Sequence, residues 1–181
     1  MNNEKTKIHF TDNYLLNPTN PITVNLIGAG GTGSKVLTAL LEINESLTAL
    51  GHAGLSVRLW DDDIITPANL GRQRFFESET GLYKSVALIN RVNRCIGTNW
   101  KAENRKFEKD NFGQIPEEAQ ATITITCVDN VQARFGVAEI LKALSNRRNY
   151  RDTPKYWLDF GNSQNTGQVD RKSTRLNSSH T

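Results

Sequence analysis

Two cysteines, one methionine and three histidines are all that 181 residues supply of the common soft and imidazole ligands. Cys95 and Cys127 stand apart rather than in a Cys-x-x-Cys pair, and the histidines are scattered. Neither a disulfide framework nor a structural zinc site follows from such spacing. Long hydrophobic runs are missing as well. No stretch approaches the roughly 20 apolar residues of a bilayer span. The opening "MNNEKTKIHF" has no apolar segment suited to secretion. The expectation is a cytoplasmic protein without membrane contact. A basic surplus is also lacking, despite the formal charge of +3. Arg171, Lys172 and Arg175 fall in the acid-free stretch 171–181, and without them the 22 basic side chains reduce to the number of acids, 19. A surface that tracks phosphates would leave an excess, so no nucleic-acid contact is expected. Arg147, Arg148 and Arg151 read as the solvated end of a helix.

What is present suffices for one domain, since 37% hydrophobic residues can close a single core. "ITVNLI" (22–27) reads as a strand covered on both faces. From Ser34 to about Leu50, Val36, Leu37, Leu40, Leu41, Ile43 and Leu47 recur at helical spacing, and Gly51 supplies the stop. "LSVRLW" (55–60) is a second strand, ending in Asp61, Asp62 and Asp63. Leu82, Val86, Ile89 and Val92 mark one face of another helix, and "NWKAENRK" is a weak strand candidate. "ATITITCV" (121–128) is a stronger one, being β-branched and alternating. A helix from about Val131 to Arg148 would turn Phe135, Val137, Ile140, Leu141 and Leu144 inward, and "KYWLDF" adds a strand. Alternating strands and helices predict an α/β, Rossmann-like three-layer domain with a mostly parallel sheet. Its expected extent is 22–170, after an N-terminal extension over 1–21. The last stretch, "RKSTRLNSSHT", has one apolar residue and reads as a disordered tail. It is similar to translated adaptor or vector sequence, so the expectation is that 171–181 is non-native and the domain incomplete at its C-terminus.

The glycine cluster "VNLIGAGGTGSK" (24–35) raises the question of its ligand. A phosphate loop of Walker type places lysine directly after the second glycine. Here Ser34 follows Gly33, and Lys35 comes one position late, about 100° round a helix. The pattern G-x-G-x-x-G is met instead by Gly28, Gly30 and Gly33, between a strand and a helix. Gly28 would permit the turn, Gly30 would let backbone approach phosphate, and Gly33 would let helix and strand pack closely. An acid at the end of the next strand can bind ribose hydroxyls, and Asp61 is the first candidate. At this point NAD, FAD, ATP and a turn without any ligand all remain open.

The order "GAGGTG", "DDDIITPANLGRQ", Lys84 in "GLYKSVALINRVN", then "TCVDNVQAR" resembles the ThiF/MoeB and ubiquitin-activating-enzyme superfamily over roughly residues 22–169. With the opening "KIHFTDNYLLNPTNPITVNLIGAGGTGS", the chain looks most like the ThiF-like proteins of the bacterial PRTRC gene system. The resemblance implies ATP- and Mg²⁺-dependent adenylation of the C-terminal carboxylate of a small ubiquitin-like protein, and a homodimer for the full-length protein. It implies that Gly28, Gly30, Gly31 and Gly33 form the nucleotide turn. Asp61 would hold the ribose, and Asp63 would support that loop or the metal. Asn69, Arg72 and Gln73 would line the phosphate channel, and Lys84 would sit by the α-phosphate. Asp129 would bind Mg²⁺, with Asn130 and Arg134 completing the shell.

Each residue has an ordinary rival role, such as an exposed turn for Asp61 to Asp63 or a helix cap for Asn69, Asp129 and Asn130. Neither cysteine is the expected thioester residue. The chain departs from the family in lacking an N-terminal arginine that reaches the partner's ATP, since its first arginine is Arg58; Lys5, Lys7 or Arg74 would have to substitute. Two further readings compete. An NAD- or FAD-dependent oxidoreductase leaves Arg72, Lys84 and Asp129 without a task, and a nucleotide-binding scaffold that has lost catalysis fits the missing arginine.

Overall fold

β1 (Ile22–Ile27) is the central strand, with β2 (Leu55–Trp60) on one side and β4 (Ile123–Thr126) on the other, both parallel to it. A computed structural model of the chain describes residues 10–110, 113–146, 153–162 and 167–173. β3 (Lys101–Glu103) extends the sheet beyond β2, and β5 (Tyr156–Asn162) extends it beyond β4, again in parallel. β6 (Gly167–Ser173) closes the edge in the antiparallel sense. The order β3-β2-β1-β4-β5-β6 is doubly wound. The chain leaves β1 in one direction through β2 and β3, then returns to the other side of β1 with β4. A crevice therefore opens at the carboxyl ends of β1 and β4, where the winding reverses.

The pleat sends alternate side chains to opposite layers. Val24 and Leu26 of β1, Val57 and Leu59 of β2 and Ile125 of β4 face α2 (Gly31–Ala49) and α3 (Lys84–Ile96), where Leu37, Leu40, Ala87, Leu88, Ile89 and Val92 close the core. Ile27, Trp60 and Trp157 face the other way, against Val137, Ile140, Leu141 and Leu144 of α4 (Val131–Ser145). The three-layer α/β arrangement is thus present. Some expected details change. Helix α2 starts at Gly31, one turn before its first apolar residue, because glycines make that turn and carry no side-chain signal. Leu82 precedes α3 and is exposed, and Phe135 is 63% exposed rather than inward. A stripe through Val137, Ile140, Leu141 and Leu144 lies on the opposite side of α4 from Phe135. That helix ends at Ser145, capped by Asn146, and Arg147, Arg148 and Arg151 lie outside the described residues.

Parallel crossovers usually run through a helix, yet the described residues of the one from β3 to β4 are irregular apart from a 3₁₀ turn at Glu117–Ala119. Side chains of the sheet hold it. Asn25 Nδ2 donates to the Ala119 carbonyl at 2.9 Å, Arg58 Nη1 to the Glu118 carbonyl at 2.6 Å, and Trp60 Nε1 to Asn25 Oδ1 at 3.0 Å. Phe107 meets Trp60 edge-on, ring centroids 5.0 Å apart, so this segment replaces a helix as cover for that face.

The N-terminal segment is tied down from residue 12 onward. α1 (Asn13–Leu16) follows Asp12, whose Oδ2 lies 2.6 Å from Lys155 Nζ. His52 accepts at Nδ1 from the Gly54 N–H, which leaves its Nε2 proton to donate to the Leu15 carbonyl at 3.1 Å. At the other end, β6 runs to Ser173. Residues 171–173 therefore pair with β5 in the sheet, since backbone pairing needs no apolar side chain. No helix among the described residues is long and apolar enough to cross a membrane.

Candidate functional site

The turn between β1 and α2 divides its glycines by task. Gly28 has φ +96°, and a methyl group on it would come within 2.8 Å of the Cys127 carbonyl oxygen. A Cβ at Gly33 would lie 1.8 Å from the Gly28 oxygen. These two are required by packing. Gly30 would meet nothing within 4 Å, so its backbone is open to an approaching ligand. Gly30 also caps α2, whose first free N–H groups and positive dipole end face the crevice.

The acids after β2 are woven into this turn. Asp61 Oδ2 accepts from the Ala29 N–H at 2.6 Å and Oδ1 from the Asp63 N–H at 3.0 Å. Burial raises the Asp61 pKa above its ordinary value, and those two N–H groups oppose the shift. Each carboxylate oxygen keeps a second lone pair for a ligand. Asp63 Oδ2 lies 2.7 Å from Lys84 Nζ. The lysine side chain is 8% exposed and its partner 65%, so a buried cation is held by a solvated anion at the first turn of α3. The Lys84 N–H donates to the Asp63 carbonyl and Ser85 Oγ to the Asp61 carbonyl, which fixes the start of α3 to the acid loop.

The third element is the turn after β4. The Cys127 N–H donates to Ile27 O, and Asn130 Oδ1 accepts from the Gln132 N–H to cap α4. Asp129 lies exposed between them. Burial, aided by the charge of Asp159, pushes the Cys127 thiol up to about 12. It is protonated and unreactive at neutral pH.

These three turns surround one cleft of about 1170 Å³. Gly28, Gly30, Gly31, Asp61, Asp63, Arg72, Gln73, Lys84, Asp129 and Asn130 all line it. Arg72 is exposed, its Nε donating to Ala68 O at 3.3 Å, and Gln73 Oε1 is buried without a hydrogen-bond partner. Three expected residues do not line the cleft. Gly33 packs behind it. Asn69 is occupied in its own 3₁₀ turn, where its Oδ1 accepts from Thr66 N and Oγ1. Arg134 turns inward, with Nη2 on Val128 O at 2.8 Å. Among candidates to replace the absent arginine, Arg74 donates to Thr38 Oγ1 at the surface, and Lys5 and Lys7 lie outside the described residues.

Sequence reasoning missed Lys106, Phe107 and Glu108, which form a wall of the cleft from the irregular crossover. No motif marks them. The signal was one aromatic residue isolated within the charged run "NRKFEK". Among the described residues no group of three or more His, Cys, Asp or Glu side chains is placed to hold a metal ion. A metal here would depend on the exposed carboxylate of Asp129 together with ligand oxygens, which suits Mg²⁺.

A profile of the ThiF family matches residues 15–169. No curated protein matches the chain. Among solved structures, E. coli tRNA N6-threonylcarbamoyladenosine dehydratase, TcdA, is similar with a TM-score of 0.54 and 19% identity, over 76% of this chain and 51% of that one. Its complex with AMP gives a TM-score of 0.56 at 18% identity, over 76% and 50%. Its complex with ATP gives 0.50 at 19%, over 67% and 46%. The chain thus spans about half the length of these structures, and the likeness is one of fold.

Proposed function

The chain belongs to the ThiF family, and from that premise we propose that it adenylates the C-terminal carboxylate of a small ubiquitin-like protein with ATP. The observation that carries the reading is the convergence of Gly30, Arg72, Lys84 and Asp129, from four separate segments, on one cleft at the carboxyl edge of the sheet. The structurally similar TcdA has been solved with AMP and with ATP, which supports nucleotide binding. The order of motifs supports a place beside the ThiF-like proteins of the PRTRC gene system. On this reading the protein works in the cytoplasm and forms a homodimer.

In the reaction a carboxylate oxygen of the partner protein bonds to the α-phosphorus of ATP while the bond to pyrophosphate breaks. The products are an acyl adenylate and pyrophosphate. No proton needs to be moved at the attacking group. The chief demand on the site is to neutralise charge that grows on phosphate oxygens. Arg72 offers a planar fork of donors to the outer phosphates. Lys84, held by Asp63, supplies a fixed cation, and the N-terminus of α2 supplies backbone donors at Gly30 and Gly31. Asp61 stiffens that turn while offering its free lone pairs to the ribose. Magnesium fits at Asp129, and when bound it supplies charge neutralisation on the phosphates.

ATP–pyrophosphate exchange in the presence of candidate small carrier proteins tests the reading. Exchange is expected only with a partner bearing a free C-terminal carboxylate. Arg72→Ala and Asp129→Ala should each lower it by about 10²-fold or more, and Lys35→Ala, on the exposed side of α2, should leave it near the wild-type rate. Equal losses at all three positions, or tighter binding of a nicotinamide dinucleotide than of ATP, would overturn the assignment. Tight ATP binding with no exchange for any partner would leave a scaffold.

A further inference from the structure

The family resemblance puts Arg134 beside the nucleotide, but its guanidinium points into the protein, and what it touches there indicates another task. Arg134 Nη2 donates to the Val128 carbonyl at 2.8 Å. Arg134 Nε lies 3.2 Å from Asp159 Oδ1, a charge contact without the alignment of a hydrogen bond. Asp159, on β5, is 3% exposed. The same Asp159 oxygen accepts from Thr126 Oγ1 at 2.6 Å, and that hydroxyl accepts from Trp157 Nε1 at 3.1 Å. A continuous set of contacts therefore runs from the interior of β5 to the carbonyl just before Asp129.

Stability alone is a weak reason for this pair. Buried ion pairs can often be replaced by apolar groups of similar volume without loss of stability. Its geometry offers a better one. A guanidinium is a rigid plane of donors. When Asp159 orients one part of it and Val128 O receives another, the peptide joining Val128 to Asp129 is held in a single orientation. Asn130 fixes the same turn from its other end by capping α4. Asp129 is left exposed in the cleft between these two anchors.

We propose that Arg134 and Asp159 are positioning residues that hold the Val128–Asp129 peptide so that the Asp129 carboxylate faces the cleft, and that they thereby set the affinity for magnesium-bound nucleotide. The proposal rests on the reading of the cleft as an ATP site. It differs from the family expectation in giving Arg134 no contact with the nucleotide and in adding Asp159, which no motif marks. Outer partners that orient a metal-binding side chain typically change metal affinity by about 10- to 100-fold when altered.

Calorimetric titration of the 181-residue chain with ATP, once in EDTA and once in Mg²⁺, tests this with substitutions that keep size and burial. Arg134→Lys keeps a cation near Asp159 but cannot span both contacts, and Asp159→Asn keeps an acceptor for Thr126 without the charge. Wild type should bind ATP more tightly in Mg²⁺ than in EDTA, and Asp129→Asn should remove that gain. Arg134→Lys and Asp159→Asn should each reduce the gain by about tenfold or more while leaving the EDTA affinity as in wild type. Adding Arg134→Lys to Asp129→Asn should lower the Mg²⁺ affinity no further, since both act through one carboxylate. A full magnesium gain in the two positioning variants would overturn the proposal, as would an equal loss in EDTA or a further loss in the double variant. If wild type shows no magnesium gain, or Asp129→Asn retains it, the nucleotide reading fails and this proposal fails with it.

Discussion

Gly30 and Gly33 look alike in a motif and differ in what a methyl group would meet. Gly33→Ala would drive Cβ to 1.8 Å from the Gly28 oxygen, so the strand–turn–helix must shift. Loss of more than about 3 kcal/mol is expected, measured by urea unfolding. Gly30→Ala meets open space and should stay within about 0.5 kcal/mol of wild type while weakening ATP binding. Asp61 adds a pH signature. Its pKa is raised above 3.8, first by burial, so the folded state holds this proton more tightly than the unfolded chain does. That contribution to stability is present below 3.8 and is lost as pH rises through the raised value. Unfolding free energies compared between wild type and Asp61→Asn across the acid range should show wild type losing stability relative to the variant as pH increases. Gly28, Gly30, Gly31, Asp61, Arg72 and Lys84 line one cleft, and each sits in a motif whose spacing encodes its place. Asn69 and Arg134 do not line that cleft, because a motif records residue type and spacing, not the direction of a side chain.

Among the elements, the strands were the most readable. β1 and β2 lie where the apolar runs put them, since a central parallel strand must be apolar on both faces. Helix faces were less so. Phe135 and Leu82 have the spacing of core residues, but the core is chosen by where the helix rests on the sheet. The turn into α4 depends on a single cap, in which Asn130 accepts from the Gln132 N–H at 2.7 Å. Asn130→Ala should cost about 1 kcal/mol in thermal or urea unfolding and should also weaken the magnesium-dependent part of ATP binding, since Asp129 precedes the cap. The crossover from β3 to β4 was the least readable element. It has no periodicity, and its order comes from contacts with Asn25, Arg58 and Trp60, which are distant in sequence.

For the molecule as a whole, that crossover matters because it supplies both a layer of the core and a wall of the cleft. Phe107 is 7% exposed and packs on Trp60. Phe107→Ala should destabilise the chain by about 3–5 kcal/mol and lower ATP affinity together, read by melting with and without nucleotide. A drop in stability with unchanged affinity would show that the wall is structural only. Read alone, the order of amino acids specifies an alternating α/β domain, a nucleotide-type turn and a family resemblance, because these depend on local periodicity and on spacing along the chain. Which residues share the cleft is settled by the sheet order. Placing β4 beside β1 brings Asp129 to Gly30, and anchoring Arg134 on Asp159 turns it away, because such contacts join segments that no local pattern relates.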